Sequence, residues 1–150
     1  MIRPTIEADI PALFGCAVEF LASAYGETAE MESFAGTIRH LLNPDNGRCY
    51  TVEQGGNVVG AAGVLFYPCW HDNRKRDAQE IFWWINPENR GGRDAIRLID
   101  QIEKDAMAAG INRLMLAHTA ENEKVGFYYA RRGYIKTETT YARRLSCQPE

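Results

Sequence analysis

Ile81-Phe82-Trp83-Trp84-Ile85-Asn86-Pro87-Glu88-Asn89-Arg90-Gly91-Gly92-Arg93-Asp94-Ala95 is the stretch whose reading decides the fold. Its first five residues are apolar without a break, which suits a central strand covered on both faces. Pro87 has no N–H and stops the ladder. Gly91 and Gly92 then permit a sharp turn and a close backbone approach to a ligand. Beyond them Ile96, Ile99, Ile102 and Ala106 recur at helical spacing, which predicts a helix running to about Ala109 with Gly110 at its C-cap. A strand that turns through glycines into a helix presents the helix's first N–H groups, which lack internal partners, to any anion held at the turn. Arg90 and Arg93 carry guanidinium groups suited to bidentate phosphate contact, whereas Asp94 opposes an anion unless it caps the helix. The other reading of the same residues is an ordinary loop with a surface arginine pair. The turn fits neither GxxxxGK[ST] nor GxGxxG, so it is neither of the nucleotide loops those patterns mark.

The flanking sequence supplies the rest of an α/β layout. Ile10, Leu13, Phe14, Val18 and Leu21 mark a first helix, with Pro11 tolerated in its first turn. Met31, Phe34, Ile38, Leu41 and Leu42 mark a second over about residues 29–42, ended by Asn43-Pro44-Asp45-Asn46-Gly47. Residues 49–54 and 58–67 read as two strands joined by a tight reversal at Gly55-Gly56-Asn57. In the second strand Gly60, Ala61, Ala62 and Gly63 leave little side-chain volume, which means either close backbone packing or space for a ligand. Residues 68–79 carry Asp72, Asn73, Arg74, Lys75, Arg76 and Asp77 and read as an exposed loop. After the central helix, residues 111–117 read as a strand, 123–132 as a short helix ending at Gly133, and 134–136 and 140–145 as final strands. The expectation is one α/β or α+β layer domain over residues 1–150.

Composition narrows the function classes. The chain has 150 residues, 45% hydrophobic and 25% charged, enough for a sizeable core and unlike a disordered, collagenous or disulfide-dense chain. No run of about 18 apolar residues is expected to cross a bilayer, and Met1–Ile10 lacks the apolar centre of a signal peptide, so a cytoplasmic protein without a membrane partner is expected. Net charge is -3, from 17 basic and 20 acidic residues, which gives no general drive toward nucleic acid, and none is expected as a partner. Cys16, Cys49, Cys69 and Cys147 fit neither a CxxC pair nor a zinc knuckle and read as reduced thiols. Cys69-x-His71 lacks two further close ligands, so no metal is expected.

Two motifs then carry a family resemblance. Ile85-Asn86-Pro87 followed by Arg90, Gly91 and Ala95 resembles the strand end and the [Q/R]xxGx[G/A] loop of the GNAT superfamily of N-acetyltransferases; Arg93 stands where glycine is usual, and Gly92 sits one residue earlier. Asn122-Glu123-Lys124-Val125-Gly126-Phe127-Tyr128-Tyr129-Ala130-Arg131-Arg132-Gly133-Tyr134 resembles that family's Asn-x-x-Ala-x-x-[Phe/Leu]-Tyr-x-x-x-Gly-[Phe/Tyr] motif, with Asn122, Tyr129, Gly133 and Tyr134 in place and Val125 instead of alanine. The resemblance covers almost the whole chain and is similar to bacterial or phage-borne members.

It implies a GNAT-like acyl-CoA acyltransferase fold, with a central mixed, mostly antiparallel sheet flanked by helices. It implies acetyl-CoA as the acyl donor and a primary amine, of a small molecule or a protein, as the acceptor. Direct attack in a ternary complex would transfer the acetyl group. In that family the pantetheine arm runs beside the backbone of Trp83, Trp84 and Ile85. The pyrophosphate lies against Arg90, Gly91, Gly92, Arg93, Asp94 and Ala95, and Asn122 binds the cofactor arm or orders the helix after it. Tyr129 becomes the candidate general acid for the leaving thiolate, because a phenol is neutral and can donate a proton at pH 7; Tyr128 is its neighbour, about 100° away around the helix. Glu80 is the candidate general base and His118 a further titratable group. Trp70 is a candidate wall of the acceptor site, and Arg74-Lys75-Arg76 either meets an acidic acceptor or is simply solvated. Homodimers are common in the family. The Arg93 departure also motivates the alternative of a non-catalytic acyl-CoA-binding or protein-interaction module on the same fold.

Overall fold

The sheet grows outward from one reversal. Gly55 and Gly56 take left-handed φ values of +56° and +80°, which glycine adopts without a Cβ penalty, and they join β2 (Gly47–Gln54) to β3 (Asn57–Cys69). β4 (Asp72–Ile85) returns antiparallel to β3, and a short β1 (Ile2–Pro4) pairs antiparallel with β2. β5 (Arg113–Met115) joins β4 in parallel. The order β1-β2-β3-β4-β5 is a mixed, mostly antiparallel sheet, flanked by α1 (Ile10–Tyr25), α2 (Met31–Leu42) and α3 (Asp94–Ala108). The computed structural model describes residues 1–145, and its contacts separate a first unit, Met1–Leu116, from a second beginning at Ala117. α4 (Glu123–Arg131) lies in the second unit.

Period-2 alternation sorts the sheet's side chains onto two cores. Cys49, with half-buried Leu65 and Phe82, packs with Ile10 of α1 and with Ala35, Ile38 and Leu41 of α2. Tyr50, Val52, Val64, Phe66, Ala78 and Ile85 pack against Leu98 and Ile102 of α3. The first unit is therefore three layers, α1 and α2 on one face and α3 on the other. The apolar run of β4 serves both faces through a bulge. Gly63 pairs with Phe82 but Val64 pairs with Glu80, so Ile81 is an extra residue on β4. It shifts the parity: Ala78 before it and Trp83 and Ile85 after it all belong to the α3-side core, while Phe82 turns to α2. Ile81 itself is 41% exposed.

The small residues of β3 are there for packing. A Cβ on Gly60 would lie 2.5 Å from the Trp84 carbonyl oxygen, and one on Gly63 would overlap the Phe82 ring and lie 2.9 Å from Leu41. These are close approaches between strands and across to α2, not ligand space.

Several expectations need correction. Residues 68–79 are not a loop: β3 runs to Cys69 and β4 starts at Asp72, leaving only Trp70 and His71 at the hairpin tip. The charged run hides the strand because its inward position is Asp77, a carboxylate buried by pairing rather than an apolar residue. In α3 the inward row is Leu98, Ile99, Ile102 and Ala106; Ile96 is 42% exposed. The strand expected over 111–117 pairs only at Arg113–Met115. Among the described residues no strand forms over 134–145, where Ile135, Tyr141 and Leu145 are exposed. β1 carried no sequence signal. Glu7–Tyr25 has, by length and mean hydropathy (1.2), the makings of a membrane span, but its Ile10, Leu13 and Cys16 side chains are buried within the first unit. Cys147 lies outside the described residues.

Candidate functional site

The ladder between β4 and β5 is short. Asp77, Ala78 and Gln79 pair with Arg113, Leu114 and Met115, and the pairing stops there. β4 continues through residues 80–85 with β3 on one side and no ladder with β5 on the other. An ion pair with a buried carboxylate stands where the two strands join. Asp77 is 1% exposed and accepts from Arg113 Nε (3.0 Å) and Nη2 (2.5 Å) and from Asn112 Nδ2 (3.2 Å). The Arg113 guanidinium holds the Asp77 carboxyl down at about 2, against the cost of burial.

At the far end of β4 the chain is fastened on three sides. Asn86 N–H donates to the Val59 carbonyl (2.8 Å), and Trp84 Nε1 donates to Asn86 Oδ1 (3.0 Å). Pro87–Asn89 makes one 3-10 turn. Asn89 Nδ2 donates to Gln54 Oε1 (3.1 Å), and Gln54 Nε2 donates to Asp94 Oδ2 (2.9 Å). Gln54 thus ties the 3-10 turn and the first residue of α3 to the end of β2. Arg97 binds the other Asp94 oxygen at 3.3 Å. Arg90 donates from Nε to the Ile85 carbonyl (2.8 Å) and lays its guanidinium 4.4 Å from the Trp84 ring centroid. The Trp84 ring also meets Phe20 of α1, with centroids 5.0 Å apart.

Gly91 has φ +98°, and a Cβ on Gly91 or Gly92 would meet nothing within 4 Å. Arg93 follows as the N-cap of α3 with no side-chain cap bond, so the first N–H groups of α3 stay unsatisfied by any capping side chain. A strand that runs past the end of its ladder with β5 into an open glycine turn and an uncapped helix end fits a ligand with an extended amide-bearing arm and an anionic head. The sequence reading placed Trp83, Trp84, Ile85, Arg90, Gly91, Gly92, Arg93, Asp94 and Ala95 here, and they are contiguous in the fold. It missed Gln54, Val59 and Phe20, whose only local signal was Gln54 standing just before the Gly55-Gly56 reversal. Glu80 lies on β4 immediately before the Ile81 bulge and is half-buried.

The second motif lies in the second unit. Asn122 is the N-cap of α4 and makes no side-chain cap bond. Tyr129, 6% exposed, donates from its hydroxyl to the Ala117 carbonyl at 3.0 Å. Gly133, at φ +91°, turns the chain after α4 so that Tyr134 N–H reaches the Tyr129 carbonyl (3.1 Å) and the two rings stand 5.7 Å apart. Tyr128 points elsewhere: its hydroxyl accepts from Arg132 Nη1 at 3.1 Å. His118 Nδ1 donates to the Thr119 carbonyl (2.9 Å), so in the neutral ring Nε2 keeps its lone pair. Gly126 makes room for that nitrogen, since a Cβ there would stand 2.7 Å from His118 Nε2.

Other candidates fall away from these positions. Trp70, 93% exposed, sits at the tip of the β3–β4 hairpin. At about 3.3 Å per residue it is roughly 30 Å along the strand from Glu80, too far to line a site at the bulge. Arg74 and Lys75 pair with Asp72. Burial raises the Cys49 thiol to about 11 and pushes Cys16 and Cys69 upward as well, so these thiols stay protonated and poorly nucleophilic near neutrality. No cluster of three metal-ligating side chains occurs among the described residues.

Solved structures with the same fold are numerous. An integron cassette protein from the mobile metagenome of Cole Harbour Salt Marsh superposes with a TM-score of 0.78 at 17% identity, over 99% of this chain and 91% of that one. A predicted acetyltransferase with acetyl-CoA from Clostridium acetobutylicum gives 0.76 at 16% identity, over 96% and 95%. Ribosomal-protein-alanine N-acetyltransferase from Brucella melitensis biovar Abortus 2308 gives 0.72 at 19% identity, over 97% and 99%. At such identities the likeness is one of fold. Comparison with curated protein sequences finds no match. A family model does match, and its residues 16–134 take in both the glycine turn and the Asn122–Tyr134 motif; the chain belongs to the acetyltransferase (GNAT) family.

Proposed function

We propose that this chain transfers an acetyl group from acetyl-CoA to a primary amine by direct attack in a ternary complex. One observation carries the reading: β4 runs past the end of its ladder with β5 into an open glycine turn and an uncapped helix. Along Trp83, Trp84 and Ile85, the backbone groups that face away from β3 pair with the amides of the pantetheine arm. The turn from Arg90 to Ala95 receives the pyrophosphate on helix N–H groups and guanidinium charge, and Asn122, whose side chain makes no cap bond to α4, meets the cofactor arm.

The chemistry asked of the side chains is limited. Glu80 takes a proton from the acceptor ammonium, directly or through one water. The free amine attacks the thioester carbonyl, the C–N bond forms, the C–S bond breaks, and Tyr129 gives its proton to the departing thiolate. Raised thiol pKa values at Cys16, Cys49 and Cys69 support direct attack over a covalent enzyme intermediate. The similar cassette protein from a mobile metagenome supports a bacterial or phage-borne source.

The test is release of CoA thiol from acetyl-CoA across a panel of small amines, amino sugars and peptides with free N-termini or lysines. Amine-dependent thiol release with stoichiometric acetylated product is expected. CoA binding without transfer to any member would favour the non-catalytic acyl-CoA-binding alternative.

A further inference from the structure

Arg90 and Arg93 flank the same glycine pair, yet the fold uses them differently. The Arg90 guanidinium is committed within the first unit. Its Nε holds the last carbonyl of β4, at Ile85, and its plane lies on Trp84, which in turn is backed by Phe20 and hydrogen-bonded to Asn86. Its backbone N–H closes the 3-10 turn onto Pro87 (3.3 Å). For Arg90 to swing onto a phosphate, the stack would open and Ile85 would lose its donor at the point where the chain leaves the sheet. Arg93 is the opposite case. Both arginines are exposed, but the Arg93 guanidinium makes no hydrogen bond or ion pair among the described residues. The carboxylate next to it in sequence, Asp94, accepts instead from Gln54 and Arg97. Arg93 stands at the N-cap of α3, directly after two glycines that leave open space.

We propose that Arg93 is the cationic side chain that meets the cofactor's pyrophosphate, and that Arg90 is a positioning residue that fixes the strand end and the turn. The assignment rests on the acetyl-CoA reading above and explains the departure from glycine: the guanidinium replaces charge that Arg90 cannot deliver while it is stacked. A planar group with an Nε donor is needed at position 90, whereas at position 93 any reachable cation serves.

Calorimetric titration of the full chain with CoA, dephospho-CoA and pantetheine tests both halves. Arg93→Ala should weaken CoA and dephospho-CoA equally, by about tenfold or more, leave pantetheine unchanged, and flatten the salt dependence of CoA binding. Arg93→Lys should recover most of the loss. Arg90→Ala should weaken all three ligands, since it disturbs the β4 edge as well, and Arg90→Lys should not restore them. The assignment is overturned if Arg93→Ala binds CoA within twofold of the parent, if it loses CoA but keeps dephospho-CoA, or if Arg90→Lys restores binding. A parent chain that binds neither CoA nor acetyl-CoA overturns the acetyl-CoA reading and this one together; a parent that binds CoA with an Arg93→Ala variant that matches it overturns this assignment alone.

Discussion

Replacing Asp77 by asparagine should weaken the protein by an amount that depends on pH. The carboxyl is buried between β4 and β5, accepts from Arg113 and Asn112, and is held at about 2 instead of its ordinary 3.8. The difference, multiplied by about 1.36 kcal/mol per unit, gives an upper limit of about 2.4 kcal/mol at neutral pH. Half of the Arg113 side chain is in water, so screening reduces this, and a loss of about 1–2 kcal/mol is expected. For a chain of this length that corresponds to about 2–8 °C in Tm. The sign follows from the lowered value: the stabilisation is complete above the unfolded-state pKa and disappears as pH falls through the folded one. The gap between parent and Asp77→Asn should therefore be full at pH 6–7, shrink to about half by pH 3, and vanish near pH 1. Urea unfolding at pH 7, 4 and 3, with the slope checked for constancy, measures it. A gap below about 0.5 kcal/mol at pH 7, or one of the same size at pH 3, would refute the claim that this ion pair fastens the parallel strand.

Other substitutions test the packing and the second motif. Gly60→Ala sets a Cβ against the Trp84 carbonyl and the Ile85 backbone; it should cost about 1–3 kcal/mol in urea unfolding and weaken CoA binding, and an unchanged midpoint would refute the close-approach argument. Tyr129→Phe removes one phenolic donor whose partner, Ala117, is itself solvent-exposed; kcat should fall by about tenfold or more with KM for acetyl-CoA little changed, and normal turnover would remove Tyr129 from the acid role. Gly126→Ala meets only the far end of the His118 ring, so the helix gains by about 0.5–1 kcal/mol while His118 moves; Tm should hold or rise as the His118 NMR resonances shift, and a fall in Tm would mean the ring cannot yield.

Local signals carried a definite share of this molecule. Apolar spacing at i, i+3 and i+4 located α1, α2 and the body of α3, because a helix face is set by neighbours one turn away. Paired glycines located the β2–β3 reversal and the turn before α3, because left-handed φ is a local demand. The order of the Arg90–Ala95 and Asn122–Tyr134 motifs, with a helix and a strand between them, pointed to the family that the match over residues 16–134 shows.

What the sequence left open depended on partners far away in the chain. Residues 68–79 looked like a loop because Asp77 finds its counter-charge at Arg113, 36 positions on, and no local periodicity can announce a buried carboxylate. β1 exists because β2 offers its edge. Ile96 and Leu98 were equally good on helical spacing, and the position of the sheet chose Leu98. The Ile81 bulge is a register relation between two strands and belongs to neither alone. The two arginines make the same point at the candidate site. As sequence they are a pair of similar cations around two glycines. Trp84 and the Ile85 carbonyl engage one of them and leave the other to the turn, with Phe20 of α1 backing the Trp84 ring, and residue type and spacing alone do not state that difference.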